Sequence, residues 1–332
     1  MPWKSTMRST VAAVRRMQRE AQRRQRELAK QRAQLAALQE RQTAAHEVAV
    51  YEDYIDHLLS VHKECGPEWD WEAVLARDPP AEPERSDTHQ QQARELLDAF
   101  QPNLLDKLLG RVETKRSEFA QAAAEARECD EREYCQALED HRNEHAKWVV
   151  MHELSQKILD GRVEAYLDAI RVVEPFKHIS QLGSSLNVQP LDSERAVVVL
   201  DTYDEDIIPA EMKTLLKSGK LSVKSVPKTR YYALYQDHVC GCTLRVAREL
   251  FALLPLRMVI VNAQAELLNT QTGHLESQAI LSVAVPTEAL ERLDFDQLDP
   301  SDAMNNFVHH MSFHRTKGFS AVVPLDPTDL SA

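Results

Sequence analysis

Glycine is scarce in this chain of 332 residues, with only 8, and its placement is uneven. No glycine or proline occurs from Trp3 to Cys65, and none from Arg111 to Asp160. Those gaps exclude tight turns from both stretches and leave continuous helix as the simplest conformation. The first would reach about 95 Å and the second about 75 Å at 1.5 Å per residue, and helices of that length need a partner helix along their sides. The glycine scarcity also excludes nucleotide-cradling loops. There is no Gly-x4-Gly-Lys-Ser/Thr, no Gly-x-Gly-x-x-Gly and no Gly-x-Ser-x-Gly in the sequence. No cofactor is expected.

Long apolar runs are absent too. Nothing approaches the roughly 18 residues of a membrane-spanning helix. No apolar leader core precedes the arginine- and glutamine-rich run from Arg15 to Arg32, so a cytoplasmic protein is expected. Cysteines number 5 (Cys65, Cys129, Cys135, Cys240 and Cys242), an odd count at irregular spacing, which predicts reduced thiols.

What is present divides the chain in two. Val and Ile together number 11 in residues 1–160 and 24 in residues 161–332. The first part is rich in Ala, Gln, Glu, Arg and Leu, all good helix formers. Charge divides as well. Residues 1–45 carry 11 Lys+Arg against Glu20, Glu27 and Glu40, a net of +8, so the rest of the −12 chain sums to −20. A basic arm on an acidic body suits an acidic protein partner, nucleic acid or an anionic surface.

The first helix carries an imperfect heptad. Val14, Ala21, Leu28 and Leu35 recur at seven, with Met17, Leu38 and Ala45 in the matching second position, while Arg24, Gln31 and Gln42 interrupt the seam. The richer apolar run from Val48 to Val61 predicts a packed base. Gly66-Pro67 ends the helix, Trp69 and Trp71 are expected to dock locally, and Pro79, Pro80 and Pro83 form a linker. Ser86 or Asp87 is placed to cap a helix through Phe100, and Leu104 to Asp160 reads as one long helix with Gly110 as a kink point. The expected organisation is residues 1–65 as a long basic helix, 66–102 as loop, short helix and linker, 103–174 as a returning helix, and 175–332 as a compact domain. The fold class is α+β, with an N-terminal coiled-coil helical hairpin followed by a mixed α/β sheet domain.

In the second part, a helix is expected over 162–173 and strands over Arg195–Asp201 and Lys220–Val226. Lys228 to Leu254 is amphipathic, with Tyr231, Tyr235, Val239, Cys242, Val246, Leu250 and Leu253 on one stripe. Met258–Leu268 and Leu275–Val285 form a hairpin about Asn269–Gly273. Pro286 opens a short helix through Leu293, Asp299-Pro300-Ser301 opens another through His310, and Phe319–Val323 is a last strand.

Candidate chemistry is sparse. His238-x-Cys240-x-Cys242 offers soft ligands, but on a helix only His238 and Cys242 share a face. His309, His310 and His314 cluster as candidate metal ligands. Asp201, Glu205 and Asp206 with Lys220 and Lys224 approach a nuclease constellation, yet the acid-x-Lys spacing is missing, since Ser222-Val223-Lys224 supplies no acid. Arg15, Arg16, Arg19, Arg23, Arg24 and Arg26 are the candidate phosphate or anionic-partner contacts. Trp3 is the arm's one aromatic, which weakens both base stacking and anchoring in a membrane surface.

Phe251-Ala-Leu-Leu-Pro255, Thr272-Gly-His274, Ala279-Ile-Leu-Ser282-Val and Leu298-Asp-Pro-Ser-Asp302 are landmarks similar to the C-terminal portion of uncharacterised bacterial chains of the restriction-endonuclease-like type, which occur among defence genes. The likeness covers about a quarter of the chain and implies a bacterial, anti-phage setting. The landmarks are a turn, a strand and a helix start, so no active site comes with them. The expected protein is a non-enzymatic coiled-coil interaction or scaffold protein that recognises a protein partner and forms a homo-oligomer through its stalk. The alternative is a nucleic-acid-binding protein or degenerate nuclease that uses the basic arm.

Overall fold

The missing glycine and proline have the expected consequence in the computed structural model. It describes residues 3–101, 110–177, 185–202 and 205–328, with backbone alone for 3–22 and 205. Helix α1 (Trp3–Ser60) runs for 58 residues and α4 (Val112–Leu159) for 48. Between them lie α2 (Trp71–Leu75) and α3 (Thr88–Asp98). Gly110, at φ 66°, lies two residues before α4. Residues 102–109, where the returning helix was expected to begin, lie outside the described residues.

The chain forms two compact units, residues 68–173 and the combination of 1–67 with 174–332. The base of α1 therefore belongs with the C-terminal domain, and α1 and α4 fall in different units.

In the unit of residues 68–173, α2 and α3 both pack on α4, and α5 (Glu164–Val173) follows it. Asp70 caps α2 by accepting the Ala73 amide at 2.9 Å. Trp69 and Trp71 stack with ring centroids 5.2 Å apart, and Trp71 is buried. Trp148 Nε1 donates to the Arg77 carbonyl at 2.9 Å, and the His141 ring meets the Pro80 carbonyl at 3.1 Å, which fastens the proline-rich linker along α4. Gly161, at φ 70°, ends α4 with the Gly161 and Arg162 amides turned back onto the Ile158 and Lys157 carbonyls.

In the other unit, β1 (Ser185–Pro190), β2 (Arg195–Asp201), β5 (Met258–Leu268), β6 (Leu275–Pro286), β7 (Val308–His314) and β8 (Gly318–Ser320) form one sheet in the order β1-β2-β5-β6-β7-β8. Only β2 and β5 pair in parallel; the other pairings are antiparallel. The connection between them holds β3 (Glu211–Leu215), β4 (Leu221–Ser225) and α6 (Lys228–Leu253). The mixed sheet is that of an α+β domain. The hairpin of β5 and β6 turns at Gly273 (φ 74°), and its register shifts at Ala263/Gln264, leaving Ile280 as a bulge.

Central strands β5 and β6 are buried on both faces. Ala196, Val198, Leu200, Val259, Val261, Val283 and Val285 alternate onto one face, where α6 packs. On the other, Leu325 packs against Ile260 and Ala284. A strap of chain beyond β8 is pinned there by Ser282, whose Oγ receives the Leu325 amide at 2.9 Å and donates to Asn262 Oδ1 at 2.6 Å. The expected strand Phe319–Val323 is therefore short, and most of it is this strap.

Elements near the C-terminal end differ from the sequence-based expectation, and strands β1 and β3 were not expected. The helix opened by Pro300 is only α8 (Pro300–Ala303), succeeded by a 3-10 turn over Met304–Asn306 and then β7; α7 (Thr287–Leu290) is likewise brief. Asp299 caps α8 as its sequence suggests, accepting the Ser301 and Asp302 amides at 3.0 Å each. Strand β7 then alternates where helix was expected, because His309, Met311 and Phe313 turn toward the sheet face while Val308, His310 and His314 turn away.

Candidate interaction arm and its anchor

Apolar spacing along α1 changes at Ala44. Ala44, Val48, Ile55, Leu58 and Val61 are all buried, at helical spacing, and the base packs on β3, β4 and α6. Full burial of each Val, Ile or Leu contributes on the order of 2 kcal/mol. Polar contacts fix the base further. Tyr54 Oη donates to the Ile207 carbonyl at 2.8 Å, Lys213 Nζ meets Glu47 Oε2 at 3.1 Å, and Lys63 Nζ donates to the Asp296 carbonyl at 2.9 Å. Gly219 (φ 82°) lets the β3–β4 turn pass under Arg41, whose Cδ would lie 2.9 Å from an added Cβ.

The C-terminal end of α1 leaves carbonyls without helical partners. Side chains of α6 take them. His238 Nδ1 lies 3.2 Å from the Leu58 carbonyl, Arg245 Nη1 donates to that of Val61 at 3.4 Å, and Arg248 Nη1 donates to those of His62 and Lys63 at 2.6 and 3.1 Å. Cations at this end also oppose the helix dipole, each contributing about 0.3–1 kcal/mol or more when partly buried. The Arg248 guanidinium lies over the Phe295 ring at 3.9 Å.

Burial sets the protonation of this anchor. The His238 ring is held below its ordinary value, first by burial. Because a carbonyl only accepts, Nδ1 carries the proton toward Leu58, and Nε2 faces the Cys242 thiol at 3.6 Å. Burial pushes that thiol up to about 12, so it stays protonated, and drives Cys240 well up too. His238 and Cys242 do share a face, as their spacing requires, but as a core contact. His62 is buried with neither ring nitrogen hydrogen-bonded, and burial lowers its titration, with the Lys63 and Arg248 charges adding to the effect.

Beyond the anchor, every residue from Arg23 to Thr43 is exposed. Leu28, Leu35 and Leu38 are 53%, 60% and 53% accessible, against 1% for Leu58. Arg23, Arg24 and Arg26 lie on this exposed segment; the side chains of Arg15, Arg16 and Arg19 lie outside the described residues.

The remaining candidates are dispersed. On β7, His309 turns to one face and His310 and His314, four residues apart, to the other, and the three are not brought together. The rings of His309 and His310 meet the carbonyls of Phe307 and Val323 at 3.1 and 2.8 Å, and His314 pairs with Thr316. Asp201 ends β2 and accepts from Ser185 Oγ at 2.7 Å. Lys224 stands on β4, which pairs with β3 in a sheet separate from that of Asp201, so the strand-end acid and this lysine do not sit on neighbouring strands as metal-dependent nuclease chemistry needs. A cleft of about 330 Å³ is lined by Asp206, Glu266, Tyr235, Phe319 and aliphatic side chains. Among the described residues, the His/Cys/carboxylate group whose ligand atoms converge is His89, Cys129 and Glu133. Sequence reasoning missed it; the spacing Cys129-x3-Glu133 was its visible part.

No family model, curated protein or solved structure matches this chain. No helix among the described residues is long and apolar enough to cross a membrane.

Proposed function

We propose that this chain is a non-enzymatic interaction and scaffold protein whose α1 arm pairs, as one half of a coiled coil, with an acidic helix. The observation that carries the reading is the contrast along α1, a base buried and clamped by α6 and an outer segment exposed on all sides with Leu28, Leu35 and Leu38 outward. Such leucines on a rigidly held helix are a seam without a partner. Charge selects the occupant. The arm is strongly basic, so two α1 helices side by side repel, whereas α4 carries 11 Asp+Glu against 7 Lys+Arg. The arm of one copy on α4 of a second copy closes a homo-oligomer. The α+β body then serves as the surface that recognises a further protein partner, and the resemblance of its last quarter to defence-associated chains suggests an anti-phage setting.

A zero-length carbodiimide cross-link on an equal mixture of isotopically light and heavy chains tests this. Mixed-isotope links between Lys30 and α4 carboxylates are expected. Lys30 links confined to single chains, or to none, overturn the pairing.

A second reading, nucleic-acid binding, is favoured by the exposure of Arg23, Arg24 and Arg26 on the arm. It requires a DNA or RNA mobility shift at about 50 mM salt that weakens steeply toward 200 mM. No shift at the lower salt sinks it.

A further inference from the structure

Asp130 of α4 caps a helix to which it does not belong. Its two carboxylate oxygens accept the His89 amide at 3.0 Å and the Gln90 amide at 2.9 Å, in the first turn of α3. Asp130 is buried, so this cap holds α3 in register against α4. The consequence lies to either side of it. Cys129 and Glu133, one helical turn apart, share a face of α4, and the fixed turn of α3 delivers the His89 ring to them. His89 Nε2 lies 3.1 Å from Glu133 Oε1, and Cys129 Sγ lies 3.8 Å from the same oxygen. All three ligand atoms lie within 4.8 Å of one another.

We propose that His89 Nε2, Cys129 Sγ and a Glu133 carboxylate oxygen bind a zinc-class divalent cation, with water on the fourth coordination position. Tetrahedral zinc with bonds of about 2.0–2.1 Å to nitrogen, 2.3 Å to sulfur and 2.0–2.2 Å to oxygen has ligand-to-ligand edges of about 3.3–3.6 Å. The two spacings to Glu133 fall on either side of that range and the third is no more than 4.8 Å, so rotations of these side chains seat one ion among all three. The donor set decides the metal. A thiolate and an imidazole favour zinc and its neighbours over magnesium and calcium, which require oxygen. On binding, the Cys129 thiol releases its proton to solvent, and the thiolate and carboxylate together neutralise the dication. His89 and Glu133 are solvent-exposed, which leaves the entry path and the water position open. Asp130 acts behind the ligands as a positioning residue, through the backbone of His89. The ion would cross-link α3 to α4, a structural role independent of the α1 arm.

The test uses the full chain, stripped with a chelator and titrated with Zn²⁺ by calorimetry and with Co²⁺ by absorption. One Zn²⁺ per chain is expected, with a thiolate-to-cobalt charge-transfer band. Cys129→Ser should abolish the band, while Cys135→Ser and Cys65→Ser keep it. Glu133→Gln, at an exposed position that folding tolerates, should weaken Zn²⁺ binding at least tenfold, and Asp130→Asn about tenfold or more. The triple variant His309→Ala/His310→Ala/His314→Ala should bind as the parent does. No stoichiometric Zn²⁺, an unchanged cobalt band in Cys129→Ser, or loss of binding in the β7 triple variant overturns the site.

Discussion

Arg245 and Glu249, one turn apart on α6, form an ion pair in the interior of the α+β unit. Nε stands 2.6 Å from Oε1, and both side chains are nearly inaccessible. Glu249 Oε1 also accepts the Gly66 amide at 2.9 Å, just past the end of α1, where an added Cβ at Gly66 would meet Glu249 Oε2 at 2.9 Å. The pair thus ties the residues beyond α1 to the helix that clamps it. Removing one member leaves a buried charge. Arg245→Met is expected to destabilise the protein by about 3–5 kcal/mol, whereas Arg245→Met/Glu249→Met, which removes both charges, should recover most of that loss. Urea denaturation of the two variants checks it. A double variant less stable than the single would contradict the assignment.

His62 and His238 make the anchor sensitive to pH. Both rings are held below their ordinary 6.5, chiefly by burial, so the folded state prefers them neutral while the unfolded chain takes up protons near 6.5. Their contribution to stability is complete above pH 6.5 and is lost as pH falls below it, by up to about 1.4 kcal/mol per pH unit for each ring. His62→Leu removes one of the two titrating rings and should flatten the acid slope. Denaturation midpoints measured from pH 7.5 to pH 5 provide the readout (the range brackets the ordinary value within about one and a half units).

Asp237 has the opposite sign. Burial raises its carboxyl from 3.8 to about 6, opposed by a hydrogen bond from Ser301 and assisted by the charges of Asp299 and Asp302. The folded state therefore holds a proton that the unfolded chain has lost, and the resulting stability is full below 3.8 and gone as pH rises through about 6. Asp237→Asn keeps the shape and removes the charge. It should stabilise the protein at pH 7 by on the order of 2 kcal/mol, with the gain fading as the parent's carboxyl becomes protonated. A gain that grows toward acid pH would refute burial of the charge as its origin.

The long helices were legible because a run without glycine or proline has few other conformations open to it. Their partners were not, because the interrupted heptad of α1 leaves pairing to contacts distant in sequence. Only the change from isolated leucines to the apolar run of Val48 to Val61 marked where the helix enters a core, and burial begins slightly earlier, at Ala44. Helix α6 was legible as a stripe, yet Cys240, Leu244 and Ala247 off that stripe are also fully buried, because α1 and α8 cover what the sheet does not. Strand β7 was hidden by its histidines, which give a period-two pattern little hydrophobic contrast, while the Asp299-Pro300 start signal next to it extended the expected helix too far. The trio of His89, Cys129 and Glu133 joins two helices, and contacts formed between them, the cap from Asp130 among them, bring it together.

The pairing of the α1 arm is tested most directly by the solution mass of the full chain, measured by light scattering at low and high salt. A multiple of 37.8 kDa is expected at low salt. It should fall toward the monomer at high salt, as pairing between opposite charges is screened, and in Arg23→Glu/Arg24→Glu/Arg26→Glu at any salt. A monomer under every condition, with the same mass for the charge-reversed variant, would contradict it.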